Sequence, residues 1–421
     1  MSATDGFRCV RCDTRHATSA FSAGCEVYTC PTCGGNLQVA YDYDALKLSL
    51  KKGFLKNGPE RGIWRYTPFL PVEEDWRRSP LEVGCTPLYR ADGLANRLGL
   101  RSLRVKDDGK NPSCSSKDRA SAVLLARAAF FRCDTVCCAS TGNAASSLAC
   151  LAAPLGIRTV IFVPEKAPQA KLLQLLVYGA EVFAVKGDYD DAFDLGIEAS
   201  KEFGWYNRNT GYNPFTREGK KTVSFEICEQ LAMQEGKKKA FVPPDAVFVP
   251  VGDGNLLSGV YKGFRDLFET GLISRVPRLV GCQAEGSDSV TAAFRTDRVI
   301  RPSRGITVAD SIAVRLPRDG DAAVTALSGS GGESIAVSDD AILEAVPELA
   351  RSTGVFTEPA GAVTLACLYE AVSRKIVGGS DSVVLLASGN GLKDIDAAKR
   401  AVGAPTVIEP TLEAVKVHLR G

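Results

Sequence analysis

Histidine is nearly missing from this chain. Of 421 residues only His16 and His418 are histidine, and both lie outside the central body. That body therefore lacks the imidazole of a Ser-His-Asp or Cys-His catalytic set, and lacks the ligands of a histidine-rich catalytic metal site. An excess of one charge is missing too: 51 Lys and Arg stand against 49 Asp and Glu, with both signs mixed along the chain. Such a balance gives no bulk attraction to nucleic acid or to a membrane surface. No apolar run approaches the roughly 20 residues that a membrane-spanning helix needs. Met1-Ser2-Ala3-Thr4-Asp5 is not a basic region followed by an apolar core, so no secretory signal is expected and the cytoplasm is the expected compartment.

What is present fits a soluble globular protein of two or three domains, since 45% of residues are hydrophobic and 24% charged. Without a secretory signal the 14 cysteines do not read as a disulfide framework. Cys150, Cys228, Cys282 and Cys367 sit singly in apolar segments, as small buried hydrophobes do. Two CxxC knuckles stand apart from these: Cys9-Val10-Arg11-Cys12 and Cys30-Pro31-Thr32-Cys33, with 17 residues between them. Each knuckle turn offers two thiolates from one side, and tetrahedral zinc takes four. The spacing predicts a small ribbon whose folding energy comes from a structural zinc, with His16 and Cys25 as bystanders. From Val39 to Pro80 the aromatic, charged and proline residues read as an irregular arm.

From Leu103 onward, short apolar runs alternate with helical periodicity. Strands are expected at Val105–Asp108, Thr159–Val163, Glu181–Val185, Ala246–Val249 and Val383–Leu386. Helices are expected after Lys117 and after Asn143, and at Gln169–Tyr178, Asp190–Phe203 and Leu257–Phe268. The alternation predicts an α/β fold: two open, mostly parallel sheets with helices on both faces and a ligand cleft at the carboxyl ends of the strands. Three turns lie at such ends: Ser140-Thr141-Gly142-Asn143, Gly252-Asp253-Gly254-Asn255 and Ser388-Gly389-Asn390-Gly391. A fourth segment, Asn111-Pro112-Ser113-Cys114-Ser115-Ser116-Lys117-Asp118-Arg119, runs into a helix. A lysine at a helix start, desolvated and facing the positive end of the dipole, holds its proton weakly and can form a Schiff base with an aldehyde.

Together, in this order, these four motifs resemble threonine synthase and, more broadly, the fold type II (tryptophan-synthase-β) pyridoxal-phosphate enzymes; the resemblance runs from about Leu81 to Asp394. It implies a large cofactor-binding domain built from residues 41–106 and 207–421, a small domain of residues 107–206, and a zinc-ribbon-like module of residues 1–40. It implies pyridoxal 5'-phosphate as cofactor, a small amino-acid substrate, no nucleic acid or membrane partner, and is compatible with a homodimer. Lys117 would carry the cofactor and move the α-proton. Asn143 would contact the ring hydroxyl and Ser388 the ring nitrogen. Gly252, Asp253, Gly254, Asn255 and Leu256 would cradle the cofactor phosphate at a helix N-terminus. Ser140, Thr141 and Ala144 would hold the substrate carboxylate, with Ser140 or Thr141 also serving as a helix cap. Asp118 and Arg119 would brace the Lys117 helix.

The chain departs from the family pattern in four places. Cys114 replaces glycine and Ser116 replaces phenylalanine beside Lys117. Thr216 stands where relatives carry a substrate-phosphate arginine, with Arg217 one place later as the expected substitute and Lys220, Lys221 and Arg208 as further candidates. Asp253 replaces an asparagine. The leading expectation is a lyase converting O-phosphohomoserine and water to threonine and phosphate. The alternatives are an elimination or replacement enzyme acting at Cβ, such as a threonine/serine dehydratase or a cysteate-synthase-like enzyme, and a non-catalytic ribbon-bearing binding protein.

Overall fold

The structure is a computed structural model describing residues 3–17, 28–50, 55, 60–72, 76–167, 169–187, 189–238 and 240–420; Cys25 lies outside them. The chain begins with strands β1 (Thr4–Cys9), β2 (Arg15–His16) and β3 (Leu37–Tyr41), an antiparallel sheet in the order β2-β1-β3. Phe7, Cys9, Leu37, Val39 and Tyr41 point inward and are buried. The arm after β3 is more regular than its composition suggested. It forms a helix over Tyr43–Ser49, capped by Asp42, and a 3-10 stretch over Gly62–Phe69.

Two α/β sheets follow. Strands β4 (Leu88–Arg90) and β5 (Ser102–Asp107) precede a parallel sheet made of β6 (Thr135–Ala139), β7 (Arg158–Pro164), β8 (Glu181–Val185) and β9 (Tyr206–Asn207), ordered β8-β7-β6-β9. The chain then adds β10 (Ala246–Pro250), β11 (Arg278–Ala284), β12 (Glu333–Val337) and β13 (Ser382–Ala387). These join β5 and β4 in a six-stranded sheet ordered β12-β11-β10-β13-β5-β4. Every pairing in it is parallel except the β4 edge. β10 and β13 are buried along their whole length, which accounts for their uninterrupted apolar sequences: a parallel sheet is covered on both faces.

Helix α1 (Lys117–Phe130) is alanine-rich and buried over most of its length, and it packs on α2 (Asn143–Ala152) and on α3 (Phe215–Lys220). The α1–α3 crossing is possible because residue 219 is glycine. A Cβ there would lie 1.9 Å from the Arg119 carbonyl oxygen, so any larger residue would force the helices apart. Arg119 is wholly buried, and its guanidinium bonds Asp108, Glu226, Thr86 and Thr222. Asp118 accepts from Ser113 N at 2.7 Å and from its hydroxyl. Both residues fix the approach to Lys117, and neither lines the cavity described next.

Candidate active site

A cavity of about 530 Å³ opens at the carboxyl ends of β6, β10 and β13. The segment carrying Lys117 is stitched to the turn after β13: Ser116 N donates to Ser388 O (2.8 Å) and Asn390 N to Cys114 O (3.0 Å). Lys117 and Ser388 therefore face one cavity although 271 residues separate them. Cys114 makes this tight approach at φ 65. That left-handed value is one glycine adopts without steric cost, so the glycine expected here from the family pattern would fit it. The Ser116 hydroxyl beside it is buried with no partner among the described residues.

Two helices open directly on the cavity. After β6, Ser140, Thr141 and Gly142 lead into α2, and Gly142, not a serine or threonine, occupies the N-cap without a side-chain hydrogen bond. After β10, Gly252 and Asp253 lead into α4 (Asn255–Glu269), whose N-cap is Gly254 at φ 90, again with no side-chain cap. A Cβ on Gly254 would meet Asp319 O at 2.6 Å. Both helices thus leave first-turn N–H groups without a side-chain partner, which is where an anion sits. Ser140, Thr141, Asn143, Ala144, Asn255 and Leu256 all line the cavity.

The charge here differs from that of the whole chain. Six basic side chains line the cavity (Lys117, Arg208, Lys220, Arg304, Arg315, Arg318) against three carboxyl groups (Asp190, Asp253, Asp310). Burial depresses the Lys117 pKa; Glu358 opposes the shift and Arg208 adds to it. Lys220 donates to Asn255 Oδ1 (2.6 Å). Its pKa is pressed well below the lysine value by burial and then by the charges of Lys117 and Arg208. Arg208 is 1% exposed. It holds Thr210 Oγ1 at 2.6 Å through Nη1, while Nη2 is buried with no partner among the described residues. A buried guanidinium nitrogen without an acceptor costs free energy unless a ligand oxygen supplies one.

Arg217, expected to bind substrate, does not reach the cavity. Its Nη2 pairs with both oxygens of Asp319 (2.6 and 2.7 Å) and its Nε donates to Ser258 (3.0 Å). A buried carboxylate must be paired, and Asp319 takes Arg217 for that purpose. Lys221 is held likewise by Glu218 (2.6 Å) and Asp266 (2.7 Å). Of the four candidate cations in this region, Lys220 and Arg208 line the cavity. Asp253 is paired as its position demands: Oδ1 accepts from Arg318 N at 2.6 Å. Burial raises its pKa to about 6.

One residue escaped the sequence reading altogether. Glu358 is buried behind Asn143, whose Nδ2 donates to its carboxylate at 3.0 and 3.2 Å. Ser311 Oγ donates to it at 3.0 Å. In sequence, Glu358-Pro359 looks like an ordinary helix start.

The residues present fit pyridoxal phosphate. An amine of depressed basicity, a serine hydroxyl, an uncapped glycine-bearing helix end and a buried guanidinium with an unpartnered nitrogen share one cavity. Comparison with known proteins agrees. A family model described as "Pyridoxal-phosphate dependent enzyme" matches residues 80–389. A threonine synthase of Methanocaldococcus jannaschii is 38% identical, over 98% of this chain and 99% of its own. The chain belongs to the threonine synthase family of pyridoxal-phosphate dependent enzymes. Threonine synthase of Methanosarcina acetivorans is 35% identical, over 98% of each chain. Among solved structures, threonine deaminase isoform 2 of Solanum lycopersicum superposes with a TM-score of 0.63 at 23% identity, covering 76% of this chain and 83% of its own. That likeness shows the shared fold.

The ribbon places Cys9, Cys12, Cys30 and Cys33 together, with all four sulfurs within 4.8 Å of one another. The Cys9–Cys33 and Cys12–Cys30 sulfur separations are 3.5 and 3.7 Å. A tetrahedron with Zn–S bonds of about 2.3 Å has edges of about 3.8 Å, so the four thiols fit zinc. His16 is not remote from them: its Nε2 lies 3.3 Å from Cys30 Sγ, as a partner to a metal-bound sulfur would. No helix among the described residues is long and apolar enough to cross a membrane.

Proposed function

We infer that this enzyme converts O-phosphohomoserine and water to threonine and inorganic phosphate. The observation that carries this reading is the buried guanidinium of Arg208, with one nitrogen unpartnered among the described residues, lining the same cavity as Lys117, Lys220 and two uncapped helix ends. Helix N-termini and a guanidinium are the groups that would receive a cofactor phosphate, a substrate carboxylate and a second phosphate. Bound pyridoxal phosphate supplies an electron sink for the bonds broken at the substrate's carbons. The chain's own residues do the rest. The α2 N-terminus, with Ser140 and Thr141, receives the carboxylate. The α4 N-terminus, from Gly252 to Leu256, receives the cofactor phosphate. Lys117, held short of protons by burial, takes the α-proton at its Nζ and returns one later. Arg208 would offset the charge of the phosphate as it departs from Cγ, Lys220 would donate a hydrogen bond beside it, and Ser388 would offer the cofactor a neutral hydroxyl. The threonine synthases at 33–38% identity support this choice of substrate.

One observation favours a second reading, in which the enzyme eliminates or replaces a group at Cβ: Thr216 is buried and hydrogen-bonded to Asn213 O (2.8 Å), and no arginine takes its place from that helix. The two readings separate on incubation of the cofactor-loaded enzyme with O-phosphohomoserine, threonine, serine and O-phosphoserine. The first reading expects phosphate and threonine in equal amounts from O-phosphohomoserine alone. Release of neither product by folded, yellow enzyme, together with keto acid from serine or threonine, would transfer the assignment to the second.

A further inference from the structure

The cavity carries a pair of arginines that the reading above leaves unused. Arg304 and Arg315 both line it and both are exposed, whereas Arg208 is buried in the same cavity. They stand on two runs of the irregular chain between β11 and β12, and those runs are clasped side by side. Ser303 N donates to Arg315 O (2.9 Å) and Ser303 Oγ to Val314 O (3.3 Å). The clasp is close because residue 305 is glycine at φ 69. A Cβ there would lie 2.8 Å from Arg315 N and 2.9 Å from Arg315 Cβ, closer than a side chain tolerates. Two serines after β11 hold the same loop. Ser287 Oγ donates to Ile312 O (2.8 Å) and accepts from Val314 N (3.0 Å), and Ser289 Oγ donates to Arg315 O (3.3 Å). The backbone under both arginines is thus fixed at the cavity.

Neither guanidinium has a hydrogen bond or an ion pair among the described residues. The carboxyl groups that share the cavity are not spent on them: Asp190 pairs with Arg318 at 2.7 Å, Asp253 accepts from Arg318 N, and Asp310 pairs with neither arginine. Like charges borne on adjoining backbone repel. A doubly charged anion between them offsets that repulsion, and a guanidinium meets a phosphate with parallel N–H bonds.

We propose that Arg304 and Arg315 form an outer phosphate site, which captures a phosphomonoester substrate before its phosphate reaches Arg208 and holds inorganic phosphate as it leaves. The proposal rests on the reading above that the substrate carries a phosphate, and it divides the work between two sites. The outer one is exposed, so its attraction acts on encounter and is screened by salt. Arg208 is buried with a nitrogen lacking an acceptor among the described residues, so its contact forms once the substrate is seated.

The test uses cofactor-loaded enzyme carrying Arg304→Gln and Arg315→Gln together. At low salt, kcat/KM for O-phosphohomoserine should fall about tenfold, the inhibition constant of inorganic phosphate should rise several-fold, and kcat should stay within about twofold. The fall in kcat/KM should shrink as salt is added. Gly305→Ala keeps both charges but forces the clasp apart, so it should move kcat/KM the same way by less. Unchanged kcat/KM and phosphate inhibition in the double variant, or a loss confined to kcat, overturns the outer site and leaves the assignment of substrate standing. Should the unsubstituted enzyme not turn over O-phosphohomoserine, that assignment fails, and titration of inorganic phosphate by calorimetry judges the outer site separately. Binding weakened several-fold by the two substitutions upholds the site, and unchanged binding overturns it.

Discussion

At the scale of single residues, the buried cations of the cavity do different work from those beside it. Arg208 has a nitrogen without an acceptor, whereas Arg217 has two acceptors on Asp319. Arg208→Met should therefore raise KM for O-phosphohomoserine by about 10- to 100-fold, the worth of a hydrogen bond to a charged group, with little change in thermal stability. Initial rates against substrate concentration, with calorimetry alongside, would check it. Cys114 sits at φ 65. Cys114→Gly should stabilise the protein by about 1 kcal/mol, because a side chain in the left-handed region costs on the order of 1–2 kcal/mol; urea unfolding would measure this. That Lys117, Asn143 and Ser388 would share one cavity was legible in the sequence because each lies in a short motif where polar side chains follow an apolar strand or open a helix. Glu358 was not legible: its partner Asn143 is 215 residues away, and no local pattern announces a contact of that range. Arg217 was misplaced by the same limit, since spacing put it near the expected arginine but could not see Asp319.

At the scale of elements, the loop from Gly252 to Asn255 is the decisive one. It contains a carboxyl group where a phosphate is to be cradled. A carboxyl whose pKa rises on folding, here to about 6 for Asp253, binds its proton more tightly folded than unfolded. Its contribution to stability is therefore full below the unfolded value of 3.8 and is lost as pH rises through about 6. Asp253→Asn keeps an oxygen for Arg318 N and has no charge to bury. It should raise Tm at pH 8 but not at pH 4, by the equivalent of roughly 1–3 kcal/mol, and should tighten cofactor binding at pH 8. Melting curves at the two pH values and a cofactor titration would show it. The strand-and-helix alternation that positions this loop was plain in the sequence, and Glu181–Val185 forms as expected. Less plain was β4, a three-residue antiparallel edge whose last two residues are exposed. It is too short for periodicity to mark.

At the scale of the whole molecule, the ribbon is tied to the cofactor loop through one buried carboxylate. Asn36 Nδ2 donates to Arg318 O (2.6 Å) and Asp319 Oδ1 (2.9 Å). Asp319 in turn accepts from Arg217, Asn255 and Ser258. Arg11 adds an exposed pair with Asp321 at 2.9 Å, worth less than about 1 kcal/mol. The ribbon was foreseeable from its CxxC spacing. Its docking was not, because Asn36 and Asp319 are 283 residues apart. Metal analysis should find one zinc per chain. Removing it with a chelator should unfold the ribbon and weaken pyridoxal phosphate binding several-fold through Asn36, as read by equilibrium dialysis. Unchanged cofactor affinity after zinc loss would sever that link.

Two amines of depressed pKa, Lys117 and Lys220, share the cavity, and only one can carry the cofactor. Lys220 is engaged with Asn255 in the loop ahead of α4, while Lys117 follows Ser116, whose N–H bonds Ser388 O. The direct test is borohydride reduction of the yellow enzyme followed by peptide mass mapping. The cofactor mass is predicted on the peptide containing Lys117 and on no other. Finding it on Lys220, or finding no reducible adduct, would contradict the account.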